Sequence, residues 1–167
     1  TILTGDYGHR ITTFNQTWGV SWNAMKDGVN NIIAVVHDLA GNVLTTSTLI
    51  TVNKDTILPS YNVVSVVIDT QNWLNEARYA NFSWAFDNVN ITFNDQGGSL
   101  LKHLYYVVSI DNQLTTNLIA SDVNAMKYES SFKVNWATLT NGVNDILVSM
   151  NDNAFNSYLS PPLFHVK

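Results

Sequence analysis

The chain has 167 residues, a net charge of −5, 46% apolar but only 13% charged residues, and no cysteine. That length can hold one or two small domains with real cores. The acidic balance, with no Lys/Arg cluster, argues against nucleic acid as a partner; no apolar run is long enough to insert in a membrane; and the lack of cysteine excludes disulfides and thiolate metal sites.

Helical periodicity is almost absent, and alternating runs separated by polar punctuation dominate. Val20 and Trp22 alternate with Gly19 and Ser21, the pattern of a half-buried strand. Lys26-Asp27-Gly28 reads as a tight turn needing positive φ at glycine. An apolar strand follows at Ile32–Val36, a turn at Asp38–Asn42, and a strand at Thr48–Val52. Asn53 to Pro59 reads as a link. Beyond it, strands are expected at Tyr61–Ile68, at Tyr79–Phe86 with Phe82, Trp84 and Phe86 on one face, and at Val89–Phe93 past a bulge. Asn94-Asp95-Gln96-Gly97-Gly98 is a strong turn, and Leu101–Ile110 is a long strand ending at Asp111-Asn112.

The last stretch, Phe132–Lys167, repeats Trp18–Asn53 without a gap at an offset of 114, with eleven identities. They include Val20/Val134, Trp22/Trp136, Gly28/Gly142, Asn30/Asn144, Ile32/Ile146, Asp38/Asp152 and Asn42/Asn156. A fixed period marks similar structural units. Residues 58–167 then form one whole unit, and residues 1–57 form only the back half of another, so the chain carries about one and a half units. In the second copy Phe155 replaces Gly41, which predicts a changed turn, because phenylalanine does not enter the left-handed region cheaply. Trp22 and Trp136, at equivalent strand positions, are expected in the core, as is Trp84. Six to seven strands in about 110 residues is the size of an immunoglobulin-like β-sandwich.

The pattern Trp22-x5-Gly28-Val29-Asn30-x-Ile32, then Asp38-x-Ala40-Gly41-Asn42, then Val52-x2-Asp55-Thr56-x2-Pro59 resembles the end of one bacterial or archaeal Ig-like surface repeat running into the next. Tyr105 to Asp111 resembles a strand inside the same units. The resemblance covers nearly the whole chain. It implies an all-β, Ig-like fold, an extracellular or cell-surface location and a structural or adhesive role, and it carries over no catalytic residues.

Catalytic groups are sparse. Glutamate occurs only at Glu76 and Glu129, and no nucleophile, zinc or phosphate-loop motif is present, so no enzyme is expected. Asp38, Asp55, Asp69, Asp111 and Asp152 fall near strand ends, where calcium can bridge tandem sandwiches. Without clustering in sequence they read as turn-forming aspartates, and no metal or cofactor is expected. His9, His37, His103 and His165 lack metal-ligand spacing. Sequons at Asn15, Asn81 and Asn90 could carry N-glycans, with Asn90 favoured beside the expected bulge; against 22 asparagines and 29 serines and threonines their number is the chance number. Trp73, in a polar stretch, is the candidate for an exposed contact with glycans.

The expected function follows from the half unit. Its apolar side chains, Trp18, Trp22, Ile32, Val35, Leu49 and Val52, would form a face with nothing on it. Such a face needs a cover, and another copy of the chain, adding strands to form a surface filament, is the expected one. The first residue is Thr1, which suggests processing or a cut fragment; in the fragment case the chain would be a segment of a stalk. The other reading is a carbohydrate-binding or adhesive module.

Overall fold

In a computed structural model, residues 15, 17–66, 73–77 and 89–167 are described. The chain divides into two compact units, residues 1–55 and 56–167. All regular structure among the described residues is strand, apart from two single 3-10 turns and an isolated helical turn at 76–77.

The first unit contains β1 (Gly28–Ile32), β2 (Val35–His37), β3 (Val43–Thr45) and β4 (Ile50–Lys54). They pair as two antiparallel ribbons, β1 with β4 and β2 with β3. The expected strand Ile32–Val36 is therefore two strands, parted at Ile33 and Ala34. The Ala34 N–H donates to the Thr46 hydroxyl at 3.0 Å, and a side chain here takes the place of a ladder partner.

The second unit begins with β5 (Ser60–Ser65) and β6 (Val89–Asn94), continues through β7 (Leu101–Ile110), β8 (Gln113–Ala120) and β9 (Lys127–Phe132), and ends with β10 (Asn144–Asp152), β11 (Ser157–Leu159) and β12 (Phe164–Val166). These form two antiparallel sheets. One has the order β5-β6-β9; the other has the order β11-β10-β7-β8, with β12 also on β10. β5 is bulged between Val63 and Ser65, while the bulge expected just before Val89 lies outside the described residues. The β7–β8 hairpin turns through Asp111 and Asn112, both at positive φ, as a two-residue hairpin turn requires. β8 and β9 have no counterpart in the expectations above. Their sequences, QLTTNLIA and KYESSF, are mostly polar edge strands and give little hydrophobic signal.

One core joins the two sheets. Val89, Ile91 and Phe93 of β6 and Phe132 of β9 pack with Leu104, Tyr106 and Val108 of β7, Ile146, Val148 and Met150 of β10, and Phe164 and Val166 of β12. The Tyr106 ring stacks on Phe132 with centroids 5.1 Å apart, and its hydroxyl accepts from the Asn135 N–H at 3.1 Å. Each such aliphatic or aromatic side chain contributes about 1.5–3 kcal/mol by leaving water.

Three expectations need correction. Trp22 and Trp136 are not strand residues; both open 3-10 turns, Trp22–Ala24 and Trp136–Thr138. Neither is buried in a core: Trp22 is half exposed, with the Lys54 ammonium 5.0 Å from its ring, and Trp136 is half-buried. The alternation that suggested a strand was four residues long, too short to distinguish a strand from a turn. Nor does the second-copy turn change shape. Phe155 takes φ +66°, matching Gly41 at +86°, because the same hydrogen bonds close both loops. The strand at 79–86, with Trp84 and Asn81, and Asp69 lie outside the described residues.

Candidate functional site

The sequence repeat is a repeat of hydrogen bonds. The β1–β4 register pairs Asn30 with Val52 and Ile32 with Ile50; β10–β12 pairs Asn144 with Val166 and Ile146 with Phe164. The β2–β3 register pairs Val36 with Leu44; β10–β11 pairs Met150 with Tyr158. Each pair is displaced by 114 residues. Asn30 donates to the Lys26 and Gly28 carbonyls at 2.8 and 3.0 Å, and Asn144 does the same to Thr140 and Gly142 at 2.8 and 3.2 Å. This is why asparagine stands two residues after the turn glycine in both copies. Its side chain closes the loop, while glycine supplies φ +97° at Gly28 and +124° at Gly142, as expected for both.

The Asp-x-Ala-x-Asn turn is also duplicated. Asp38 accepts from the Asn42 N–H and side-chain amide at 2.8 and 2.7 Å; Asp152 accepts from those of Asn156 at 2.9 and 2.8 Å. These bonds, that from the Asn42 side chain first, hold the Asp38 carboxyl below its ordinary range. The Ala34 bond to Thr46 recurs as the Val148 N–H donating to Ser160 at 2.9 Å.

The two copies differ in what covers them. Met150 is 1% exposed and its counterpart Val36 is 56%; Phe164 is 6% exposed and Ile50 is 57%. Ile146 and Val166 are buried, whereas Ile32 and Val52 are only half-buried. Trp18 and Leu49 are exposed, and no described residue from 15 to 55 is buried. In the second unit this framework carries β7 along one edge of β10, with β6 and β9 over its inner face. Among the described residues of the first unit nothing occupies either place. Of the expected face residues, Val35 belongs to the other side, since its counterpart Ser149 lies between the buried Val148 and Met150; it lines the same β2 edge.

The remaining candidates are dispersed. Trp73 is 65% exposed, and its neighbour Leu74 donates its N–H to the Lys167 carbonyl at 2.7 Å. Asn15 is exposed. Asn90 is half-buried in the middle strand of its sheet and donates to the Ser65 hydroxyl at 3.0 Å, so a glycan there would displace that bond. An open groove of about 410 Å³ runs beside it, lined by Thr92, Glu129 and Ser130. The Glu129 carboxyl is held below its ordinary range by hydrogen bonding and charge from Lys127, 2.6 Å away.

At one end of the second unit Asp95 and Asp152 are both buried, with carboxylate oxygens within 4.8 Å of one another. Asp95 accepts from the Gly97, Gly98 and Leu100 N–H groups, which offset its burial. Sequence reasoning saw Asp95 only as a turn residue, since its neighbour is far along the chain. These two acids are where oxygen donors for a hard cation would converge. Comparison with family models and with curated proteins found no match.

Proposed function

We propose that the chain is a non-enzymatic, extracellular structural protein built of Ig-like sandwiches, a subunit or segment of a surface filament or stalk, and that its bare half unit is completed by strands from another copy. Supporting the Ig-like reading are the two antiparallel sheets, β5-β6-β9 and β11-β10-β7-β8, that share one core. The function rests on a single observation. One hydrogen-bonded framework occurs twice, buried in the second unit and bare in the first. Contiguous exposed apolar surface of this kind marks an interaction site, and an open strand edge is a template for pairing.

Sedimentation velocity and electron microscopy of the full chain test this. Large head-to-tail species are expected, insensitive to salt because few charges line the face. Val36→Asp, which places a carboxylate on the bare face, is expected to return the chain to monomers with the second unit still folded. A stable wild-type monomer across micromolar concentrations would refute the proposal. The exposure of Trp73 favours a second reading, an adhesive module that stacks sugars on this indole. A glycan-array signal lost in Trp73→Ala would support it.

A further inference from the structure

Resting on the proposed completion of the half unit by another copy, we infer that β8 is the strand that is added: the free edge of β8 in one copy pairs with the open edge of β1 and β2 in the next. The first step is a stoichiometry. Among the described residues each chain holds two copies of the β10–β12 framework but one set of β5, β6, β7 and β9 to cover it. Handing that set to a neighbour would uncover the donor's own core. An assembly of copies must therefore use a strand edge that its own unit can share without opening.

The free edges of the second unit are not alike. β9 carries Lys127 and Glu129, an ion pair at its rim. β11 is three residues long and runs into Pro161 and Pro162. β5 follows Pro59 and is bulged between Val63 and Ser65. Charges, short strands, prolines and bulges are the devices that keep edges from pairing. β8 carries only one of them, a bulge at Ile119 near its far end, which leaves Gln113 to Leu118 in regular pairing with β7. It is eight residues long, uncharged, and pairs only with β7 among the described residues. Leu114 and Leu118 are both more than half exposed. The two-residue hairpin fixes which backbone groups are free. Ile110 and Gln113 flank the turn as a hydrogen-bonded pair, so the N–H groups of Leu114, Thr116 and Leu118 point away from β7.

The acceptor is matched. In the second unit β7 lies antiparallel along β10 from Asp145 to Asp152. The corresponding edge of the half unit, residues 31 to 38, is uncharged as far as His37 and lined by Ile33, Val35 and Val36, all exposed. One donor and one acceptor edge per chain, unlike each other, give a contact that does not close and so propagates.

Mixing two variants of the full chain tests this. Leu114→Lys with Leu118→Lys blocks the donor edge at exposed positions; Val36→Asp blocks the acceptor. Each alone is expected to sediment as an 18.6 kDa monomer with unchanged circular dichroism. An equimolar mixture is expected to give a discrete heterodimer, since each partner retains the edge the other has lost. If the β8 variant still forms large species while Val36→Asp does not, β8 is the wrong donor and the proposed function survives. If Val36→Asp still pairs through β8 alone, β8 joins to itself and this inference is overturned. If Val36→Asp still forms the large species, or the wild-type chain is monomeric, the proposed function falls as well.

Discussion

Ile32 and Ile146 are the same residue at the same place in two copies of one framework, so replacing each with alanine isolates the effect of cover. Ile146 is 0% exposed. Alanine there removes three carbons, about 2.4 kcal/mol of transfer free energy at about 0.8 per carbon. Adding the cavity left between β6 and β10 brings the expected cost to about 3–4 kcal/mol. Ile32 is half-buried, and no described residue of its unit is buried. In monomeric chain Ile32→Ala should cost less than about 1 kcal/mol. In the assembled state the balance changes. A cover equal to that of the second unit would make Ile32→Ala weaken association by up to about 2.4 kcal/mol, roughly fifty-fold. The assay is urea denaturation at a concentration where the chain is monomeric, followed by sedimentation velocity over a dilution series. Equal losses in the two monomers would refute the reasoning, because they would mean that the half unit already has a complete core. An unchanged association constant for Ile32→Ala would refute the assignment of this face to assembly.

Other substitutions probe the framework itself. Gly142→Ala should cost about 1–3 kcal/mol, since alanine must hold φ +124° with its Cβ 3.4 Å from Ile110, whereas Gly28→Ala meets no atom within 4 Å; thermal melts of the two variants should differ in that order. Asp152→Ala removes the acceptor of the Asn156 N–H and side-chain amide, a loss of about 3 kcal/mol, and denaturation should show it in the second unit alone. The Asp38 carboxyl, held below its ordinary range, stabilises its turn above the unfolded-state value, and that contribution is lost as pH falls through the lower folded one. Protection factors at the Ala40 and Asn42 amides should therefore stay high at neutral pH and fall below about pH 4, and a constant protection factor across that range would contradict the bond pattern.

Local features were legible in the order of residues alone. Turn glycines, the asparagine two residues later and the Asp-x-Ala-x-Asn loop are local hydrogen-bonding devices, complete within five residues, so their spacing carried them. The repeat at 114 likewise announced a duplicated framework, because identical local bonds need identical residues. Tertiary structure decided what lies on top of that framework. Ile32 and Ile146 are the same letter in the same pattern, and nothing local says that one meets β6 and the other meets nothing described. The indoles of Trp22 and Trp136 left the core because a four-residue alternation does not fix a strand. Phe155 stayed left-handed because Asp152 and Asn156 close the loop around it, at a cost that residue preference alone counts but does not weigh against those bonds. β8 was silent in the sequence for the reason that makes it a candidate for assembly: none of its residues is fully buried, so no strict alternation is enforced, and its exposed leucines acquire meaning only once β7 shows which side of them is free.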